Sequence, residues 1–185
     1  SLDRERNRIR AISDPSARAR EEIELATWTH AMIKSAIPKF NLDRGFEFVY
    51  VVNYSERQCF LQSVLIAGLM QRAGADAGVA MVYRNARGAE TNNGHAVTLV
   101  KLASGRDVLV DASQPEPLAL HRGLLLADNG YRYVDPVYEA GARTIISYKA
   151  ASDGHKVACK NVLPLDLAFA RSQFSYYRGE RAVGG

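Results

Sequence analysis

The sequence predicts a single α+β domain in which a buried helix packs on an antiparallel sheet. Its 185 residues suit one domain with a substantial core. The stretch from Arg57 to Met70 is apolar around nearly the whole circumference of a helix, which is typical of a central helix. Two strand-like runs, 95–100 and 107–111, follow it and are joined tightly enough to form an antiparallel hairpin.

Composition and charge exclude several classes of protein. Hydrophobic residues make up 47% and charged residues 24%, the balance of an ordinary globular domain. No apolar stretch approaches the roughly 20 residues that span a bilayer, so no membrane span is expected. The arginines of the first 20 residues alternate with acidic residues and lack interleaved aromatics, which disfavours nucleic acid as a partner. Two cysteines 100 positions apart form no disulfide framework, so the cysteines do not indicate a cellular compartment.

The sequence of the N-terminal third predicts an arm, a long helix and a strand. Residues 1–13 are the arm, and Asp14-Pro15 reads as an N-cap followed by proline at the first helical position. The helix is expected from about Ser16 to Ala36, since Pro38 cannot continue it. The β-rich run 46–52 predicts a short strand.

The central helix is expected to begin near Cys59 and to end near Arg72. Ser55 is the expected N-cap, with Gln58 as its capping-box partner three residues later.

The sequence after the central helix predicts mostly strands. After the helix come a strand at 78–84, a polar loop at 85–94 and the hairpin; residues 112–130 show no clear periodicity. Further strands are expected at 131–138, 143–150 and 155–162, then a helix from Pro164 to about Phe174. Residues 178–185 are expected to be a frayed tail or a linker to further domains of a longer chain.

Three residues occur in the order and local setting of a thiol-based catalytic triad. A thiolate is the reactive form of cysteine, and a helix N-terminus such as the one expected at Cys59 favours it. A histidine within reach acts as base and acid, and an aspartate orients that histidine. The hairpin is expected to place His95 almost opposite Asp111 or one residue past it, on the same side of the sheet.

The cysteine and the aspartate also have ordinary structural interpretations. A lone cysteine in an apolar helix is usually a small core residue, and an aspartate at a strand end is usually a turn or cap residue. Their joint occurrence in a helix start and a hairpin favours the catalytic interpretation.

The stretch from Arg57 to Ser113 resembles the transglutaminase-like core of the papain-like cysteine-enzyme superfamily. The resemblance rests on a cysteine at the start of a long helix, the step Arg72-Ala73-Gly74-Ala75, the run Gly94-His95-Ala96 and a glycine turn leading to Val110-Asp111. It covers about a third of the chain. It implies a papain-like fold in which Cys59 is the nucleophile, His95 the general base and acid, and Asp111 the orienting residue. The chain departs from the family pattern at Gln58, Val97 and Ala112, which bears on substrate type.

The remaining site residues are less specific. The Cys59 backbone N–H is a natural oxyanion donor because helix-start amides are free, and the side-chain donor is left open among four candidates: Gln58, Asn53, Tyr54 and Trp28. His30 is expected to be a satisfied core histidine, His121 could rim the cleft, and His155 is expected to be exposed. Cys159 is expected in a strand, buried and inert. No metal signature, phosphate loop or cofactor motif is present.

Three functions remain open. The leading hypothesis is thiol-dependent acyl-enzyme catalysis on amide bonds of a peptide or protein substrate, as a peptidase, an amidase or a transglutaminase. The second is a non-catalytic domain that retains the fold and binds a peptide or protein. The third is an acyltransferase that uses a thioester donor. Hydrolysis is favoured among the catalytic options because nothing in the sequence marks an amine-binding site.

Overall fold

Helices pack against the outside of a closed antiparallel barrel in a computed structural model that describes residues 2–84, 88 and 90–182. The helices are α1 (Leu2–Arg10), α2 (Pro15–Ala36), α3 (Phe48–Tyr54), α4 (Cys59–Arg72) and α5 (Leu167–Glu180). The strands are β1 (Lys39–Phe40), β2 (Glu56–Arg57), β3 (Asp76–Arg84), β4 (Glu90–Lys101), β5 (Asp107–Val110), β6 (Gly123–Ala127), β7 (Tyr131–Tyr138), β8 (Ile145–Ala150) and β9 (Lys156–Val157). A single 3₁₀ turn, Cys159–Asn161, precedes α5.

Six strands close the barrel in the order β5-β4-β3-β6-β7-β8. Every neighbouring pair is antiparallel, and the ring closes where Asp107 of β5 pairs with Ile145 of β8. Strand β9 adds to the free side of β8, while β1 and β2 form a separate parallel pair. Alternate residues such as Val97, Leu99 and Leu109 fill the barrel interior.

Helix α4 crosses the outside of the barrel and is the element that carries the candidate nucleophile. One apolar cluster joins it to α1, α2 and the outer faces of β4 and β5, with Ile66 and Met70 fully buried. A second cluster joins Phe60 of α4 to Ala170 and Tyr177 of α5. The central position expected for this helix is confirmed.

Several predicted elements are confirmed within a few residues. Helix α2 begins after Asp14, whose Oδ2 accepts from the Ala17 N–H at 2.7 Å. Helix α4 has the expected bounds, and the strands at 78–84, 95–100, 107–111, 131–138 and 143–150 correspond to β3, β4, β5, β7 and β8. Within the described residues, no helix is both long and apolar enough to cross a membrane.

Other local predictions are wrong. The expected strand at 46–52 is largely helix α3, and Ser55 is its C-cap in the left-handed region with φ 56° rather than the N-cap of α4. Gln58 is that N-cap. The expected loop at 85–94 is shorter, because β4 already begins at Glu90; residues 85–87 and 89 lie outside the described residues.

The two ends of the chain are more ordered than expected. The arm contains helix α1, whose Ile9 is fully buried against the core. The tail expected from Arg178 onward instead continues α5 to Glu180; residues 183–185 lie outside the described residues. The aperiodic stretch 112–130 contains β6, and the expected strand at 155–162 is β9 followed by the 3₁₀ turn.

Candidate active site

Cys59 is the first residue of α4, and hydrogen bonds tie this helix start to β4. The Oε1 atom of Gln58 accepts from the Phe60 N–H at 2.8 Å and so caps the helix. Ser63 Oγ lies 2.8 Å from the Cys59 carbonyl oxygen and 3.1 Å from that of Ala96. The serine therefore fixes the start of α4 beside the strand residue that follows His95.

His95 and Asp111 meet although they are not opposite one another in the hairpin. Thr98 pairs with Val110, so Asp111 follows at the position across from Val97, and His95 is its diagonal neighbour. The predicted register was therefore wrong by at least one residue. Because side chains alternate along a strand, His95 shares a face with Val97, and diagonal neighbours lie within reach of long side chains. His95 Nε2 lies 2.7 Å from Asp111 Oδ2.

The electrostatics of this pair favour a charged histidine. Burial lowers the pKa of His95, but hydrogen bonds to Asp111 and Cys59 and their charges outweigh it and raise the pKa to about 10. Burial raises the pKa of Asp111, but hydrogen bonds from His121 and His95 hold it well below its usual range. Asp111 is fully buried and remains a carboxylate.

One of the two ring nitrogens of His95 is committed to Asp111. Nε2 is committed to Asp111, which leaves Nδ1 as the atom that can exchange a proton with the Cys59 thiol. An imidazolium beside a thiol is a partner that stabilises the thiolate. The structure therefore brings together the three residues that the sequence placed in different elements.

His121 is a fourth member of this cluster. Its Nε2 lies 3.1 Å from Asp111 Oδ2, the same oxygen that His95 contacts, and its side chain is only 5% exposed. The sequence suggested a histidine at the rim of the cleft, whereas this ring lies inside it. Its only sequence signal was a histidine after a proline-bearing loop, so its contact with Asp111 was missed.

A buried arginine holds the segments around the cluster. Arg57 donates from Nε to Gln62 Oε1 at 2.8 Å, from Nη2 to the Ala112 carbonyl at 3.2 Å and from Nη1 to the Ile37 carbonyl. Gln62 in turn donates to Ser113 Oγ at 2.6 Å. The chain on either side of Ala112 is thereby linked to α4, which limits how far Asp111 can move from Cys59.

The candidate nucleophile is itself covered. Cys59 is only 4% exposed, and Tyr177 of α5 packs beside it against Phe60, with ring centroids 5.9 Å apart. Burial and the charge of Cys59 raise the pKa of Tyr177 to about 12, although a hydrogen bond with Gln58 opposes the shift. The Tyr177 hydroxyl therefore stays protonated next to Gln58.

The four side-chain candidates for an oxyanion donor lie in different places. Gln58 is buried beside Cys59. Its Oε1 atom caps α4, and its side chain also forms a hydrogen bond with Tyr177. Asn53 and Tyr54 are exposed on α3, where the Tyr54 ring faces Arg44. Trp28 is 52% exposed and lies beside α1 in a pocket shared with Leu2. Gln58 is the candidate that the fold keeps in contact with the site.

One group of residues within the described part of the chain has the composition of a metal site, namely His95, Asp111 and His121. Their nitrogens approach one shared oxygen at 2.7 and 3.1 Å. Ligands bonded at about 2.0–2.2 Å around a tetrahedral ion are spaced somewhat more widely than this, and each contact has hydrogen-bond length. The arrangement is therefore better described as two N–H donors on one carboxylate oxygen, and the absence of a metal ligand set stays a prediction.

The other singled-out residues have structural roles. His30 is 4% exposed and bonds the Gln114 carbonyl at 3.1 Å, which confirms a satisfied core histidine; burial lowers its pKa. His155 is exposed and pairs with Asp153. Cys159 is buried as expected, but in the 3₁₀ turn rather than a strand, and burial raises its pKa to about 12.

No family model matches the chain, and no curated protein matches it at a significant level.

Proposed function

We propose that this domain is a thiol enzyme of papain-like, transglutaminase-like type that acts on amide bonds of a peptide or protein through an acyl-enzyme. The observation that carries the proposal is the convergence of Cys59, His95 and Asp111 at a helix start and a hairpin. The 2.7 Å bond from His95 to Asp111 leaves the other ring nitrogen for the thiol. A cysteine at a helix start, a histidine and an orienting carboxylate are the parts that such catalysis requires.

The reaction would proceed in two steps. The Cys59 thiolate attacks the amide carbon, and the tetrahedral oxyanion lies near the Cys59 backbone N–H and the Gln58 amide. The His95 Nδ1–H then gives its proton to the leaving amine, the C–N bond breaks and a thioester remains. Water next loses a proton to Nδ1 as it attacks the thioester; the C–S bond breaks, which releases the carboxylic acid and restores the Cys59 thiolate beside protonated His95. An amine in place of water would give transamidation by the same route.

The test is the pH dependence of cysteine alkylation by iodoacetamide. The chain has two cysteines, so a Cys159→Ser background reports Cys59 alone. We expect Cys59 to react at about pH 6 on the order of 100-fold faster than an ordinary thiol, which is almost fully protonated there. His95→Ala in the same background should abolish the difference. Ordinary reactivity in the parent, unchanged by His95→Ala, would refute the proposal.

Turnover is measured separately. Dimethylated casein with and without dansylcadaverine distinguishes incorporation of an amine from release of ammonia or of new amino termini. We expect hydrolysis, dependent on Cys59, because nothing in the sequence marks an amine-binding site.

A non-catalytic peptide- or protein-binding domain is the second candidate, and the 4% exposure of Cys59 favours it. If Tyr177 never moves away from Cys59, the thiol is an ordinary core residue. In that case Cys59→Ser would leave partner binding unchanged, and iodoacetamide would label Cys59 only as the protein unfolds.

A further inference from the structure

His121 occupies a position that the three-residue site does not account for. It lies in the connection between β5 and β6, is buried, and directs Nε2 at Asp111 Oδ2 from 3.1 Å. Its ring centroid is 5.4 Å from that of His95. One carboxylate oxygen therefore lies between two imidazoles.

The carboxylate of Asp111 is held at both oxygens. Oδ1 accepts from the Ser113 backbone N–H at 2.9 Å, while Oδ2 is shared by His95 and His121. Both rings must carry a proton on Nε2 to donate to the same anion. Loss of the His121 donor would leave Asp111 Oδ2 with His95 as its one remaining donor among the described residues and would release one restraint on the rotation of the carboxylate.

The backbone of His121 is also clamped. The Tyr138 hydroxyl accepts from the His121 N–H and donates to the His121 carbonyl, both at 2.9 Å. Burial raises the pKa of Tyr138 to about 12, so the hydroxyl keeps the proton that this second bond needs. A loop residue fixed at both backbone groups can hold its ring at a constant distance from Asp111.

The opposite ring nitrogen carries no comparable restraint. His121 Nδ1 is buried, and within the described residues no hydrogen-bond partner lies near it. An unpaired buried polar atom is costly and calls for an explanation at the site where it occurs. The ring is therefore held in place chiefly by its bond to Asp111.

We propose that His121 is a positioning residue that extends the triad to a chain of four, Cys59–His95–Asp111–His121. Its Nε2–H fixes the Asp111 carboxylate so that His95 keeps Nε2 on Asp111 and Nδ1 toward Cys59. This inference rests on the proposed function for its catalytic consequence, although the hydrogen bond itself can be tested without any activity.

The mutational test compares His121→Phe with His121→Gln in the Cys159→Ser background. Phenylalanine removes the donor, whereas the glutamine Nε2 can reach the same oxygen. We expect His121→Phe to lower the rate of Cys59 alkylation at about pH 6 by roughly 10- to 100-fold, as for outer partners that orient metal-binding histidines. The alkaline part of the pH profile reports the pKa of His95, and this pKa should move toward that of an ordinary histidine. His121→Gln should restore both, and His155→Phe, which removes an exposed histidine, is the matched control.

The second measurement uses the unmodified protein. Nitrogen-15 NMR of the histidine rings should show a proton on His121 Nε2 that is protected from exchange. A proton on Nδ1 alone would overturn the proposal even if His121→Phe does not fold.

The outcomes separate the two proposals. Ordinary Cys59 reactivity in the parent refutes the proposed function, while the NMR result still decides the His121 bond. If Cys59 is alkylated at the activated rate and His121→Phe folds but does not change that rate, the role of His121 is refuted and the proposed function is not. Stoichiometric zinc in the purified protein, lost in His121→Phe, would also overturn it, because the two histidines would then be ligands rather than donors.

Discussion

His95 Nε2 lies 2.7 Å from Asp111 Oδ2, although the hairpin register offsets the two residues by two positions. A diagonal contact of this kind depends on the positions of both strands and on the groups that hold Asp111 in place at the end of β5. The pair is therefore sensitive to changes that never touch the thiol.

Asp111→Asn should disable the site while preserving much of its shape. The amide can present its NH₂ group to His95 and so favour the wrong tautomer; the equivalent change in Ser-His-Asp triads costs about 10⁴-fold in turnover. We expect a loss of about 10³-fold or more in acyl-enzyme formation, measured by mass spectrometry of Cys59 after treatment with p-nitrophenyl acetate. Asp153→Asn is the matched control, since Asp153 belongs to an exposed His–Asp pair. Equal losses in both variants would contradict a specific role for Asp111.

The charge on His95 should make stability depend on alkaline pH. The pKa of His95 is raised to about 10 in the folded protein, above about 6.5 in the unfolded chain. Its contribution to the free energy of unfolding is therefore fully present below about pH 6.5 and is lost as pH rises through about 10. Urea unfolding of the wild type and of His95→Gln should show a difference that shrinks across this window. A constant difference would mean that His95 titrates alike in both states.

The positions of Cys59, His95 and Asp111 in the fold could be predicted because their signals are local. A polar cap before an apolar helix defines the start of α4, and two short strand-like runs joined by a glycine turn define a hairpin. The helix at Phe48–Tyr54 could not be predicted in the same way. Its valines and aromatics favour strands only where a pleated surface is available, whereas here Glu47 precedes a helical turn and Ser55 ends it.

The residues that complete the site were missed for a different reason. His121 lies in an aperiodic segment, and Tyr177 lies about 120 residues after Cys59 on a helix whose end was predicted too early. Only the closed barrel and the docking of α5 bring them to the site. No local pattern in the sequence encodes such contacts.

Arg57 should prove necessary for stability. Its buried guanidinium satisfies acceptors on Gln62, Ala112 and Ile37, so Arg57→Met leaves these acceptors without their donor. We expect the free energy of unfolding to fall by about 3 kcal/mol, because each abandoned buried acceptor costs about 1 kcal/mol or more. Urea titration measures this loss. Arg132→Met, which breaks an ion pair nearer the surface with Asp128, should cost less than about 1 kcal/mol. Similar losses would contradict a special role for Arg57.

Cys59 should become more accessible when the end of α5 is released. The helix buries only Ala170 and Tyr177, and its last turn is fastened by the Arg178–Glu47 ion pair and by the bond from Arg181 to the Leu42 carbonyl. Because an exposed ion pair contributes little to stability, Arg178→Gln should raise the population in which α5 is displaced by only a few fold, up to about 5-fold.

The readout is the rate at which Cys59 reacts with the bulky disulfide reagent DTNB in the Cys159→Ser background. Tyr177→Ala should accelerate the reaction further, since it removes the ring that packs on Phe60. Glu139→Gln breaks a different exposed ion pair, with Arg106, and should leave the rate unchanged. If Arg178→Gln reacts no faster than Glu139→Gln, access to Cys59 does not depend on α5, and the thiol must be reached from the His95 side, where that side chain is 28% exposed.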